Sequence, residues 1–124
     1  MANYDQLPVF KATYDLLLRI FHLCRHWQRD IRHTLGENLK REIMEIEQLV
    51  YQANATTDKV PYISQARLGM VNVKLQMRIV YDLKEVSLHQ YASLAEQAES
   101  ISKQLTAWEK AVRKKQQDVN GTTQ

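Results

Sequence analysis

Three glycines and two prolines in 124 residues leave this chain short of the residues that reverse a backbone. A fold of many short strands joined by tight turns is thereby excluded, and long helices with few connections are the economical reading. A single cysteine, Cys24, rules out an internal disulfide and fits a reducing, cytoplasmic setting. Its neighbours Leu17, Ile20 and Phe21 place it on an apolar helix face, where cysteine acts as a small hydrophobe. No apolar run approaches the roughly 18 to 20 residues that span a bilayer, and the N-terminus lacks the basic-then-apolar pattern of a signal peptide, so a soluble protein with no membrane partner is expected. Missing too are a glycine-rich phosphate loop, a nucleophile elbow and a CxxC pair.

What the chain does have is helical periodicity. Val9, Phe10, Tyr14, Leu16, Leu17, Leu18, Ile20, Phe21, Leu23, Cys24 and Trp27 spread over a broad arc of a first helix that opens near Leu7 and Pro8. So wide an arc calls for more than one packing partner. Gln28 to Thr34 reads as a connector or a short helical turn, with Thr34 capping a second helix and Glu37 completing a capping box. Leu35, Leu39, Ile43, Ile46, Val50 and Ala53 form that helix's stripe. A loop follows from Asn54 to Pro61, with Tyr62 or Ser64 opening a third helix. A turn within Glu85 to Gln90, unmarked by glycine, leads to a fourth helix with the stripe Leu88, Tyr91, Leu94, Ala98, Ile101, Leu105, Trp108 and Val112. The expected fold is all-α: an up-down-up-down four-helix bundle over residues 1–117, followed by a disordered polar tail, 118–124.

The third helix carries two apolar stripes. At 100° per residue, Leu68, Val71, Leu75, Ile79, Leu83 and Val86 fall on one side, and Met70, Val73, Met77, Val80 and Tyr81 on the other. With Leu75 at its centre, the first stripe is expected to pack on the chain's own core. The second, Met70, Val73, Met77, Val80 and Tyr81, is then the expected oligomer interface, and a homo-oligomer follows. If both stripes were internal to one bundle, no such surface would remain.

Catalytic and metal chemistry find little to work with. His22 and His26 stand four apart, the spacing of a shared metal on one helix face, but no acid completes the pattern. Glu42, Glu45 and Glu47 sit beside Lys40 and Arg41 on what reads as an exposed face, whereas general acid–base work needs carboxyls in a water-poor cleft. Neither an enzyme nor a cofactor or metal site is expected. Charge is more informative: the formal net charge is +3, and from Arg19 to Arg41 six Lys/Arg face two acids. Arg25, Arg29, Arg32, Lys40 and Arg41 gather around the first corner, Lys74 and Arg78 form a one-turn pair, and Arg113, Lys114 and Lys115 close the last helix. Such clusters suit a phosphate backbone, RNA or DNA, and equally describe a well-solvated polar face.

Thr34-Leu35-Gly36 followed by Leu39 and Arg41, a helix ending in Ala53, the run through Leu75, Arg78, Tyr81, Asp82, Leu83 and Lys84, then Tyr91, Leu105, Trp108 and Lys110 together resemble one four-helix-bundle family. It includes proteins encoded in intervening sequences of bacterial 23S ribosomal RNA genes, and Avd, the accessory variability determinant of diversity-generating retroelements. The resemblance covers roughly residues 6 to 115. It implies a pentameric barrel of bundles with a basic surface. In the Avd branch it further implies a partnership with a reverse transcriptase and its template RNA in mutagenic retrohoming. The other branch implies a bundle of undefined role, a general nucleic-acid-binding or protein-interaction module. Family members often place a proline after the first helix, where this chain reads His26-Trp27-Gln28-Arg29-Asp30.

Overall fold

The computed structural model describes residues 3–122, and their secondary structure is helical throughout. After a short 3₁₀ turn at Tyr4–Gln6 come α1 (Pro8–Cys24), a single turn α2 (Arg29–Ile31), a π-helical turn (Arg32–Gly36), α3 (Glu37–Ala55), α4 (Val60–Asp82) and α5 (Leu88–Thr122). The four long helices are α1, α3, α4 and α5. Each packs against the next, and α1 packs against α5 as well.

The core follows from the three-and-four spacing of apolar residues. Leu16, Ile20 and Cys24 of α1 meet Leu39, Ile43, Ile46 and Val50 of α3, Ile63, Met70, Val73 and Met77 of α4, and Leu94, Ala98, Ile101 and Leu105 of α5. Thr13, fully buried among them, satisfies its hydroxyl by donating to the Val9 carbonyl at 2.8 Å. Side-chain contacts tie neighbouring helices together: Tyr4 and Tyr51 pair edge-on at 4.9 Å, the Gln76 amide donates to Glu42, and Lys74 meets Glu99 at 2.9 Å. Arg19 ties α1 to α5 by donating to Ser93 Oγ and Gln97 Oε1, each at 2.7 Å.

The connections differ from expectation in instructive ways. Gln28–Thr34 takes the helical of its two expected forms, but Thr34 is no cap. Its hydroxyl donates back to the Asp30 carbonyl at 2.7 Å, inside a continuous helical run. Buried Trp27 anchors the corner, and a Cβ at Gly36 would already touch Cys24 and Trp27 at 3.6–3.7 Å. The loop before α4 is shorter than the composition implied, because Pro61 lies within the first helical turn, where its missing N–H costs nothing. Lys59 closes the end of α3, donating to the carbonyls of Ala53 (2.8 Å), Thr56 (2.7 Å) and Asn54 (3.4 Å). An ammonium there also opposes the negative end of the helix dipole.

Between α4 and α5 the turn is made by Lys84 at φ 66°. Lys84 N–H donates to the Tyr81 carbonyl and Glu85 N–H to the Val80 carbonyl, the paired bonds of a Schellman cap. Ser87 and Gln90 then exchange side-chain bonds with each other's backbone N–H, at 3.0 and 2.9 Å, a capping box that starts α5. Helix α5 carries on through the residues expected to be a polar tail, as far as Thr122. Residues 123–124 lie outside the described residues. From Arg113 to Asn120 every position is exposed, so this last stretch continues beyond the core.

Candidate assembly and nucleic-acid surfaces

Helix α4 has its two apolar stripes, but the inward and outward assignments are the reverse of those expected. Met70, Val73, Met77 and Val80 are 0–2% exposed and belong to the chain's own core. Tyr81, partly buried, stacks on Tyr91 of α5 with ring centroids 4.6 Å apart. None of these five offers a free surface to a neighbour. Leu68 (65% exposed), Val71 (59%), Leu75 (59%), Ile79 (36%) and Leu83 (49%) face outward instead, while Val86, expected in the same stripe, is buried below the turn. The physical reason lies at Gly69, the small residue beside Met70 that lets α4 approach α3 closely, and next to it Ala66 is fully buried. A Cβ on Gly69 would lie 2.9 Å from Ile46 Cγ1.

A second exposed apolar surface runs along α1 and α3. Tyr14, Leu18 and Phe21 on α1 and Met44 and Tyr51 on α3 are 40–49% exposed, and an open groove is lined by Phe21, Lys40, Met44 and Gln48. Lys40 lies over the Phe21 ring at 4.7 Å while bonding Glu37 at 2.8 Å. Glu47 occupies the same side of α3 as Lys40 and Tyr51, since seven and four residues are two turns and one. It is not a solvated acid. The residue is half-buried, both carboxyl oxygens are shielded and without a hydrogen-bond partner among the described residues, and desolvation pushes its pKa up to about 8.

The ten predicted basic residues separate into three groups. Arg25, Arg29, Arg32 and Arg41 lie about the α1–α3 corner, and among the described residues none of them is in an ion pair. Their contacts are to neutral acceptors: Arg32 donates to the Arg25 carbonyl at 3.3 Å and Arg41 to Asn38 Oδ1 at 3.0 Å. Lys40 belongs to that corner by sequence, but with its side chain 15% exposed and held by Glu37 it is withdrawn from solvent. Lys74 and Arg78 on α4 are each matched to an acid, Glu99 at 2.9 Å and Asp82 at 3.0 Å. At the opposite end of the molecule Arg113 pairs with Glu109 at 3.3 Å, leaving Lys114 and Lys115 exposed beyond the core. Glu109 is itself nearly buried, and its carboxyl is held below the usual range first by the Ser64 hydroxyl at 2.6 Å, then by Arg113 and Arg67.

The arrangement therefore offers one corner of unpaired guanidinium groups and two uncovered apolar faces. No group of three or more His, Cys, Asp or Glu that could hold a metal ion occurs among the described residues, and none of their helices is long and apolar enough to cross a membrane. The wide apolar arc of the first helix already calls for a second partner there, whereas the contribution of α3 to this surface is not anticipated. Its signal was present in Met44 and Tyr51, apolar residues outside the stripe of their own helix. No family model matches the chain, and no curated protein matches it.

Proposed function

We propose that this chain is a non-enzymatic accessory protein that assembles with copies of itself and binds nucleic acid. In this reading it is an up-down-up-down four-helix bundle, built into the pentameric barrel that the family resemblance implies. Its assembly presents basic corners to template RNA or DNA and associates with the reverse transcriptase of a diversity-generating retroelement in the cytoplasm. The observation that carries the reading is the outward stripe of α4. Five aliphatic side chains along one helix, from Leu68 at 65% exposed to Ile79 at 36%, make a contiguous apolar patch of a kind that monomers rarely leave in water. The guanidinium groups of Arg25, Arg29, Arg32 and Arg41, free of ion pairs, support the nucleic-acid half. The reverse-transcriptase half rests on the resemblance.

Light scattering at micromolar concentration tests the assembly: a mass several times 14.6 kDa is expected, and a monodisperse monomer overturns it. Co-purification with the reverse transcriptase encoded beside the gene tests the role. An assembling protein whose gene lies in a ribosomal RNA intervening sequence, with no reverse transcriptase beside it, would instead belong with the other branch of the resemblance.

A further inference from the structure

The two uncovered apolar faces belong to different sides of the molecule. Helix α4 packs on α3 and α5, and α1 packs on α3 and α5, so α1 and α4 sit diagonally. The α4 stripe spans 16 residues, about 22 Å, and the α3 side of the other face, from Lys40 to Tyr51, about 16 Å. Their chemistry differs too. The α4 stripe is aliphatic and edged by the cations Arg67, Lys74 and Arg78, whose side chains are 36–61% exposed and each bonded to an acid of the same chain. The α1–α3 face is aromatic-rich and holds Glu47, whose two oxygens have no hydrogen-bond partner among the described residues. The nearest cation on the same side of α3, Lys40, is already taken by Glu37.

We infer that the α4 stripe of one copy seats on the α1–α3 face of the next, with the basic edge of α4 supplying the missing partner for Glu47. Glu47 is half-buried with its oxygens turned inward, and a rotamer change toward the incoming guanidinium or ammonium lets that cation, through its spare N–H donors, be shared between Glu47 and the acid it already holds. Because the joined faces are unlike, a joined pair keeps one of each free for further neighbours, and such head-to-tail contacts close into a ring when the rotation from copy to copy closes. A self-complementary α4–α4 contact would cover one face only and leave Tyr14, Leu18 and Met44 in water. The inference rests on the proposed self-assembly and names the two surfaces that make it.

Complementation distinguishes the two. Leu75→Asp spoils the α4 stripe, Leu18→Asp spoils the other face, and both positions are exposed. Circular dichroism confirms folding, and Val71→Asp and Met44→Asp replace either variant that fails that check. Each variant alone should remain at the 14.6 kDa chain mass, whereas a 1:1 mixture should yield a species of twice that mass, because one intact stripe and one intact groove remain. Glu47→Gln should weaken assembly about tenfold, the loss of one charge-assisted pair. Wild type that is monomeric overturns the proposed function itself. Wild type that assembles, with a Leu18→Asp variant of undiminished mass, or with no new species in the mixture, overturns the unlike pairing alone. Unchanged assembly in Glu47→Gln removes Glu47 from the contact.

Discussion

Gly69 and Ile46 set the distance between α3 and α4: a methyl group at position 69 would lie 2.9 Å from Ile46 Cγ1 and 3.2 Å from its Cδ1. Ile46 is 1% exposed and β-branched, so it has little room to turn away. Alanine gains up to ~1 kcal/mol over glycine in helix propensity, yet overpacking a tight core costs ~1–3 kcal/mol. Gly69→Ala should therefore lower stability by about 1 kcal/mol in a denaturant titration. A stabilised variant would mean that the helices separate freely.

Lys84 holds φ 66° in the Schellman turn after α4, a conformation that costs a residue with a Cβ roughly 1 kcal/mol or more and glycine almost nothing. Lys84→Gly is expected to raise stability by about 0.5–1 kcal/mol after the greater freedom of the unfolded chain is deducted. Thermal melts of the two proteins side by side decide this, and a lower midpoint in the variant refutes it.

The inversion of the α4 faces has a direct energetic signature. Met77, 2% exposed, should cost about 2–5 kcal/mol when cut to alanine. Leu75, 59% exposed, should change subunit stability by less than about 0.5 kcal/mol in a monomeric background such as Leu18→Asp. Urea unfolding of both substitutions in that background settles the order; a larger loss at Leu75 would restore the original assignment.

Helix type and number were legible because three-and-four spacing of apolar residues needs only the sequence to be seen. Which α4 stripe faces inward was not. The outward residues Leu68, Leu75 and Ile79 are as apolar as Met70, Val73 and Val80, so hydrophobicity gives no ranking. Close approach decides it, through Gly69 on the side that meets Ile46. The α5 start was readable in Ser87 and Gln90, a capping box three residues apart, whereas the lysine in the left-handed turn before it carries no local mark. Pairing of cations was equally hidden. Glu99 lies 25 residues from Lys74, and only the folded chain brings them together.

Glu47 should leave a pH signature on the single subunit. Burial raises its carboxyl from 4.5 to about 8, so between those values the folded chain holds a proton that the unfolded chain releases. Its contribution to stability is full below about 4.5 and is lost as pH rises through about 8. In the monomeric Leu75→Asp background, unfolding midpoints should fall between pH 5 and pH 9, and Glu47→Gln should remove that component. Parallel pH profiles with and without the carboxyl would contradict it.

The distribution of ion pairs also decides which cations should meet nucleic acid. Lys74 and Arg78 already face Glu99 and Asp82 at about hydrogen-bond distance, so a phosphate must displace a carboxylate to reach them. Arg25, Arg29, Arg32 and Arg41 meet only neutral acceptors or solvent among the described residues. Their planar donor forks can take phosphate oxygens without breaking an existing charge pair. Each phosphate neutralised on a single strand contributes about 0.7 to the slope of log affinity against log salt. Replacing all four arginines of the corner with glutamine should therefore lower that slope by up to about 3 and weaken binding across sequences alike. The Lys74→Gln and Arg78→Gln pair should change it by less than one. Salt-titrated binding of a single-stranded RNA to the wild type and both variants, each checked for unchanged assembly mass, tests the assignment. A larger effect at Lys74 and Arg78 would move the nucleic-acid surface from the corner to the flank of α4.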